Sequence, residues 1–318
     1  MAIEVFNEYG QAFNKLYQAY KDKDYKYFEE QDEEITKKQL LKFTCPKEMY
    51  DNCVDLAKEK AKYTCSKDQQ GRERPINIKE VRQFKGVVAE MATQLYLTEI
   101  CRMPYYDVHR WDLQRKRFER GTFEYDVFCR IKNYSVKFES RSSNSYCTSL
   151  GEFLQEYDVI GPYVSPIKKN EDTDDFYIRP VFQYKTALTK SELETENNVE
   201  DICQKIVDSE ITLYIVGGAS KDEMFGPLSY EKSMSQGTTK YHCIHIKDIG
   251  DAEIFGNKIE HQKSIILGYG HEFQDKMICP VCAAPMEKRQ NSHDGSYFFG
   301  CTNYNPNDGC KYTTGVRE

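Results

Sequence analysis

The sequence predicts an α/β fold in which helices flank a mixed sheet, because three segments carry the matching hydrophobic patterns. Apolar residues recur at helical spacing from residue 81 to about residue 100, which predicts an amphipathic helix. Residues 125–141 alternate between apolar and polar side chains around a short turn, which indicates a β-hairpin. Residues 211–217 form an apolar run typical of a buried strand, and a predicted helix at 199–207 precedes it. These segments define a sheet domain at about residues 76–255.

Shorter elements complete this domain. A short helix is expected at 149–157 and a strand at 240–246. Residues 175–184 predict another strand, in which Pro180 favours an edge position or a bulge because proline lacks the amide that a sheet ladder needs. Residues 1–75 are expected to form a helical, peripheral N-terminal region, and residues 256–318 a linker followed by a small C-terminal unit.

Composition limits the function classes. The chain has 318 residues, a net charge of -7 and a pI near 5.6, which argues against indiscriminate binding of polyanions through bulk charge. A local basic span does run from Arg110 to Arg141. The sequence contains no run of about 18 apolar residues that could span a bilayer, and its start shows no secretory signal. We therefore expect a cytoplasmic protein with no membrane partner.

The predicted hairpin brings charged groups together. With Asn133 and Tyr134 as its turn, Asp126 faces Arg141, and side chains two residues apart share a face. Asp126, Glu139 and Arg141 would then lie on one face with Lys137 nearby. The alternative is a solvent-facing surface with scattered charges.

Glu90 has two interpretations, because it lies off the apolar stripe of its helix, one turn after Gly86. It could be an ordinary solvent-facing glutamate. Alternatively, the glycine at position 86 would let the helix, and Glu90 with it, approach the sheet closely.

Other polar residues have simpler interpretations. The acidic run at 170–175 is expected to be a solvated loop. Cysteines outside the C-terminal forty residues are expected to be small buried residues.

The C-terminal cysteines predict a metal site. Cys279 and Cys282 form a Cys-x-x-Cys turn, and Cys301 and Cys310 follow across two predicted strands. Zinc prefers four such ligands in a tetrahedron, and so short a segment needs a structural metal because it buries little core. The sequence therefore predicts one structural Zn²⁺; the alternative is four unrelated thiols.

This segment resembles the four-cysteine zinc ribbon at the C-termini of bacterial type IA DNA topoisomerases. The similarity lies in the four cysteines and the residues around them, including Met286, Gly295 and the run 297–301, although the loop at 305–309 is longer than usual. The resemblance implies DNA binding, often to single strands, through aromatic and basic side chains. The candidate contacts are Lys288, Arg289, Tyr297, Phe299, Tyr304 and Lys311.

Such ribbons are also appended to nucleases of the restriction-endonuclease-like, PD-(D/E)xK, superfamily, and the central domain is similar to their core. Glu90 on a helix, Asp126 on one strand and Glu139 two residues before Arg141 on the next fall in the superfamily's order. The resemblance implies a restriction-endonuclease-like sheet and catalytic Mg²⁺ held by Asp126 and Glu139, with Glu90 supporting.

The departure from the motif is Arg141, which stands where these nucleases carry lysine. Arginine stays protonated, so it can stabilise charge on the phosphorane but cannot act as a base, and Lys137 could substitute for the missing lysine. Backbone phosphates would be contacted by the basic residues before the hairpin, Arg115, Lys116, Arg117 and Arg120.

The sequence-based expectation is a metal-dependent DNA endonuclease, by resemblance in a restriction or phage-defence system. The alternative is a non-catalytic DNA-binding or repair accessory protein with a degenerate nuclease core, and a third reading has RNA as the substrate. Cleavage of both strands at a symmetric site would favour a homodimer.

Overall fold

The computed structural model describes most of the chain. The described residues are 2–33, 37–64, 73–113, 126–132, 134–145, 149–164, 173–233, 240–267, 286–291, 297–302, 304, 311 and 313–315. Within them the helices, in chain order, are α1 (Ala2–Lys21), α2 (Lys47–Tyr63), α3 (Ile76–Leu95), α4 (Leu150–Glu156), α5 (Lys190–Thr195), α6 (Val199–Val207), α7 (Lys221–Met224) and α8 (Ala252–Leu267).

The strands of the described residues form three sheets. In chain order they are β1 (Phe28–Glu33), β2 (Lys38–Phe43), β3 (Val108–Arg110), β4 (Val127–Ile131), β5 (Tyr134–Ser140), β6 (Ser143–Ser145), β7 (Asp158–Val164), β8 (Phe176–Tyr184), β9 (Ile211–Ser220), β10 (Tyr230–Ser233), β11 (Lys240–His245), β12 (Met286–Gln290), β13 (Tyr297–Cys301) and β14 (Thr313–Gly315).

The main sheet is mixed, as the sequence predicted for the α/β class. Its strand order is β1-β2-β9-β8-β5-β4-β3, and β6 continues along β8 beyond β5. β8 runs parallel to β5 and β6 and antiparallel to β9, and the other neighbours are antiparallel. A second sheet, β10-β11-β7, is antiparallel.

Both faces of the main sheet are covered. Because side chains alternate along a strand, Leu213 and Ile215 of β9 join the larger core with α1, α2, α3, α6 and α8, while Val216 joins a smaller core with α4 and the second sheet. On β8, Phe176 joins the larger core and Tyr177 the smaller one. The described cysteines before the C-terminal segment are buried as expected: Cys45, Cys53, Cys101, Cys129, Cys203 and Cys243.

The N-terminal region differs from the prediction. Helices α1 and α2 are present, but residues 28–43 form the hairpin β1-β2 instead of continuing helical, and β2 pairs with β9 in the main sheet. Leu40 and Leu41 are both buried on opposite faces, so this charged segment contributes to both cores. The two helices were expected, but the expectation of a helical, peripheral region missed the hairpin, because β2 finds its partner about 170 residues away, which local patterns do not reveal.

Most predicted elements of the central domain are confirmed. α3, α4, α6, β9 and β11 occur close to the predicted positions, and α3 ends in a π-helical turn at Tyr96–Ile100. Pro180 lies at a register shift between Ile178 and Pro180, which confirms the predicted bulge; the edge alternative was wrong, since β8 lies between β9 and β5. Among the described helices, none combines the length and apolarity needed to cross a membrane.

The C-terminal segment folds as a small antiparallel sheet, β12-β13-β14. Its first two strands match those predicted between the two cysteine pairs, and the third follows the second pair. Met286 and Cys301 face each other at the start of β12 and the end of β13, and both are buried.

Candidate active site

The hairpin β4-β5 is present, but its register differs from the predicted one by two residues. Ile131 pairs with Tyr134, so the turn lies between them, and Phe128 pairs with Lys137. Lys132 adopts a φ of 53°, which suits a tight hairpin turn. A shift of two preserves which face each side chain occupies, but the predicted pairing of Asp126 with Arg141 is wrong, and Asp126 lies at the level of Glu139.

Asp126 is held directly before β4. Its backbone amide donates to the Phe138 carbonyl at 3.2 Å, and its Oδ2 accepts from the Ser140 amide at 2.8 Å. The pKa of Asp126 is raised well above its usual range by burial and then by the negative charges of Glu139 and Glu90. The structure therefore brings the three predicted carboxylates within electrostatic reach of one another.

Glu90 is buried in α3, so the solvent-facing alternative was wrong. It is 7% exposed, and its Oε1 accepts from Lys60 Nζ of α2 at 3.1 Å. Lys60 also forms an ion pair with Asp112. Burial, opposed by Lys60, raises the pKa of Glu90. Gly86 does not serve the predicted close approach, because a Cβ built there meets nothing within 4 Å.

Glu139 and Arg141 form an ion pair at the end of β5. Arg141 Nε donates to Glu139 Oε1 at 2.7 Å. The guanidinium also lies 5.3 Å from the ring centroids of both Tyr163 and Tyr241, which belong to the second sheet. The arginine is thus engaged by its own strand's glutamate and two aromatic rings, a setting in which a planar cation is favoured over an ammonium.

Asp174 is a further carboxylate that the sequence-based analysis missed. The expected solvated loop is wrong at this position, since Asp174 is 7% exposed and its amide donates to Tyr177 Oη at 3.1 Å. Burial, followed by the charge of Glu139, raises its pKa to about 8, while Lys137 acts in the opposite direction. Lys137 therefore lies near this carboxylate, on the β5 face predicted for it.

Lys60, Asp112 and Asp174 could be recognised only in part from the sequence. Lys60 falls on the buried stripe of α2 with Cys53 and Ala57, and a lysine on an apolar stripe signals a buried charge that needs partners. Asp174 and Asp112 carry no comparable signal, because each lies in a polar stretch.

The arrangement of these carboxylates does not form a preassembled metal site. Within the described residues, no group of three or more His, Cys, Asp or Glu side chains is placed to hold a metal ion. Glu90 and Glu139 are instead paired with Lys60 and Arg141. The site as it stands is a set of mutually repelling carboxylates neutralised by the chain's own cations.

The predicted nucleic-acid contacts are described only in part. Arg115, Lys116, Arg117 and Arg120 lie outside the described residues, as do the side chains of Lys288 and Tyr297. Arg110, at the start of the basic span, is buried and so does not contribute to a basic surface. Phe299 is partly buried in β13 and pairs with Lys288, whereas Tyr304 and Lys311 are exposed and Arg289 Nη2 reaches the Cys301 carbonyl at 3.4 Å.

The predicted zinc ligands are also described only in part. Cys301 is buried at the end of β13. Cys279, Cys282 and Cys310 lie outside the described residues, so the four-cysteine site stays a prediction.

Comparison with known proteins gives one informative match. Over an alignment of 188 residues, which covers 54% of this chain and 68% of the relative, the chain is 26% identical to the uncharacterized protein MJECS01 of Methanocaldococcus jannaschii. No family model and no solved structure matches the chain. The similarity assigns neither a family nor an activity, so a functional proposal depends on the site.

Proposed function

We propose that the protein is a metal-dependent DNA endonuclease with a restriction-endonuclease-like core. The observation that carries this proposal is the placement of three carboxylates near one another. Glu90 on α3 and Glu139 on β5 both raise the pKa of Asp126, which lies directly before β4. A carboxyl group whose pKa is raised by neighbouring carboxylates is a candidate for a functional residue.

The order and placement of these residues support the same proposal. Glu90 lies on α3, Asp126 at the start of β4 and Glu139 two residues before Arg141 at the end of β5. The sheet is mixed, and helices cover the face on which α3 packs. These features agree with the expected nuclease core at the level of element order.

The donor set suits Mg²⁺, which prefers carboxylate oxygens, although Arg141 and Lys60 now hold two of the three carboxylates. Asp126 and Glu139 would be the main ligands, with Glu90 supporting. The ion would supply charge neutralisation and an activated water for phosphodiester hydrolysis. To bind the Mg²⁺ ion, Glu139 would have to give up at least part of its contact with Arg141.

Lys60 is a candidate for the fixed positive charge that the lysine of related motifs supplies, although it stays protonated and so would not act as a base. It is buried, bridges Glu90 and Asp112, and lowers the pKa of Asp126 through its charge. Arg141 would stabilise negative charge on the phosphate, and the rings of Tyr163 and Tyr241 hold its guanidinium plane.

The proposal extends to the C-terminal sheet. A zinc ion bound by Cys279, Cys282, Cys301 and Cys310 would stabilise it, and Tyr304 and Lys311 are exposed for contact with DNA. A role in restriction or phage defence is part of the proposal by resemblance alone, as is a homodimer for cleavage of both strands.

A second candidate function is DNA binding without catalysis. Two observations favour it: Glu139 is paired with Arg141, and among the described residues no three His, Cys, Asp or Glu side chains are placed to hold a metal ion. In that case the core would be a scaffold and the C-terminal sheet the binding element.

Plasmid cleavage separates these functions. Supercoiled DNA, modified or unmodified, is incubated with the full chain in Mg²⁺ or EDTA, beside Asp126→Asn and Glu139→Gln. Asparagine keeps an oxygen for the Ser140 amide, so the fold is expected to persist. The proposal expects Mg²⁺-dependent cleavage by the wild type and at least about a 100-fold loss in both variants.

Glu253→Gln is the matched control, because Glu253 is an exposed glutamate of α8. It should cleave at the wild-type rate. If the wild type cleaves no DNA, the proposal of a DNA endonuclease is overturned. If it cleaves RNA instead, RNA is the substrate, as in the third alternative drawn from the sequence. Equal cleavage by all variants would overturn the assignment of the site.

A further inference from the structure

A cavity of about 220 Å³ lies between α1 and the segment that contains β3. Its mouth carries amide side chains from one face of α1, Asn7, Gln11 and Asn14, all of them exposed. Its inner wall includes Gln94 of α3 and Arg110 of β3. A concave site with a few convergent polar groups is the usual form of a small-ligand site.

Two residues of the inner wall carry unsatisfied polar atoms. Arg110 is 2% exposed, and Nε, Nη1 and Nη2 all lack a hydrogen-bond partner among the described residues. Gln94 Oε1 lacks one as well, while its Nε2 donates to the Val108 carbonyl at 3.1 Å and so fixes the orientation of the amide. Buried polar atoms are normally paired, and an unpaired guanidinium is rare because burial of an uncompensated charge is costly.

No carboxylate among the described residues bonds to Arg110. The charge of Arg110 opposes the rise in the pKa of Glu90, but the carboxylates of Glu90 and Asp112 both bond to Lys60. The guanidinium carbon lies 4.3 Å from the ring centroid of Phe13, so one face is covered and the donors in its plane stay directed outward from the ring. Among the described residues, the inner wall of the cavity therefore holds a fork of unpaired donors and one unpaired acceptor, all of them buried.

We propose that this cavity binds one nucleotide unit, with its phosphate on Arg110 and its base edge on the amide side chains. A guanidinium matches phosphate oxygens in a bidentate way, and Asn and Gln amides match the edges of bases. Tyr106, whose ring is 79% exposed, lies at the cavity and suits stacking on a base.

The cavity adjoins the candidate active site. The amide of Trp111, next to Arg110, donates to the Asp126 carbonyl at 2.9 Å, and β3 pairs with β4. A nucleotide held here would be a neighbour of the scissile one, and this choice of ligand class rests on the proposed nuclease function. The ligand could be a free mononucleotide or a nucleotide within a strand.

Binding is tested without catalysis, using full-length Asp126→Asn in EDTA. Equilibrium dialysis and thermal unfolding are measured with 5′-deoxynucleoside monophosphates, the matching nucleosides, inorganic phosphate and a 5′-phosphorylated oligonucleotide. The monophosphates or the oligonucleotide should bind and raise Tm, with nucleoside and phosphate at least about tenfold weaker. Binding of the oligonucleotide alone assigns the site to a strand.

Three variants test the residues, two of them a matched pair on α1. Arg110→Met should abolish binding yet leave the Tm of the ligand-free protein equal or higher, because the guanidinium that it removes is buried without a hydrogen-bond partner among the described residues. Gln11→Leu should weaken binding at least about tenfold, and Gln18→Leu, the same change on α1 outside the cavity lining, should not. The α1 pair decides the question if Arg110→Met does not fold.

The failures are distinguishable. Absence of binding by any phosphate-bearing ligand, or equal affinity in Gln11→Leu and Gln18→Leu, overturns the cavity proposal even if plasmid is cleaved. Binding that depends on Gln11 and Arg110 upholds the cavity site even if no cleavage occurs.

Discussion

Lys60 and Glu90 form a buried ion pair that joins α2 to α3, with Lys60 Nζ 3.1 Å from Glu90 Oε1. Both side chains are 9% exposed, and Lys60 holds Asp112 with the same ammonium. Burial lowers the pKa of Lys60, but the two carboxylates more than offset this effect and raise it, so the lysine stays charged.

Removal of Lys60 should destabilise the fold strongly. Lys60→Met leaves Glu90 buried without its cation, and breaking a buried pair from one side costs about 3–5 kcal/mol. Urea unfolding measures the change. Lys62→Met is the control, because Lys62 is 61% exposed, and it should change the free energy of unfolding by no more than about 0.5 kcal/mol. Similar values for the two variants would contradict this account of the pair.

Asp174 should make the metal-free protein less stable as the pH rises. Its pKa is raised from 3.8 to about 8 in the folded state, so the folded protein binds a proton that the unfolded chain has released. The resulting stabilisation is complete below about pH 4 and is lost as the pH approaches about 8, with a slope of at most about 1.4 kcal/mol per pH unit.

Urea unfolding in EDTA from pH 4.5 to pH 8, with Asp174→Asn beside the wild type, checks this. The variant should lose less stability over the range, and Asp248→Asn, a change at an exposed aspartate, should follow the wild type. Parallel curves for Asp174→Asn and the wild type would show that Asp174 does not titrate in this window.

The parts of the fold that sequence could predict are those encoded in one continuous segment. The apolar periodicity of α3 and the apolar run of β9 are each visible within a single segment of the sequence, and both elements are present. The hairpin was predicted, but its register was wrong by two residues, because Tyr134 prefers a strand position opposite Ile131 over a place in the turn.

The site was predictable only where a motif orders its residues along the chain. Glu90, Asp126 and Glu139 follow such an order and lie close in space. Asp174 lies near Glu139 only because β8 runs beside β5, and Lys60 reaches Glu90 because α2 packs on α3. Neither long-range contact leaves a local pattern.

Gly86 offers room for a stabilising change. It lies inside α3, and a Cβ there would meet nothing within 4 Å. Gly86→Ala should raise the free energy of unfolding by about 0.5–1 kcal/mol, because alanine loses less conformational entropy in a helix. Gly218→Ala is the opposite case, since its Cβ would lie 2.4 Å from the Tyr177 carbonyl oxygen, and it should be destabilising. Urea unfolding of both variants checks the sign of each effect.

Zinc content tests the C-terminal site. The purified chain should contain about one zinc ion, and Cys301→Ser should reduce that content because a hydroxyl is a much poorer zinc ligand than a thiolate. Elemental analysis after dialysis measures it. Cys203→Ser is the control, since Cys203 is a buried cysteine of α6, and it should retain the metal. Equal zinc in the two variants, or no zinc in the wild type, would remove the ribbon from the proposal.

Substitution of Arg141 tests whether an arginine can take the place of the motif's lysine in the proposed active site. Its guanidinium bonds to Glu139 at 2.7 Å and lies against two tyrosine rings, so its position depends on shape as well as charge. Arg141→Met should reduce plasmid cleavage at least about 100-fold, because the phosphate charge loses a fixed partner. Arg141→Lys keeps a positive charge but not the planar fork, and an intermediate rate is expected.

Initial rates at saturating Mg²⁺, with Arg130→Met as control, measure these effects. Arg130 pairs with Ser135 on the same hairpin, and its side chain is exposed. If Arg141 acts at the site itself, Arg130→Met should leave the rate of cleavage within about twofold of the wild type. Full activity of Arg141→Met would assign the arginine a structural role, and a faster Arg141→Lys would mean that the arginine restrains Glu139 from binding the metal.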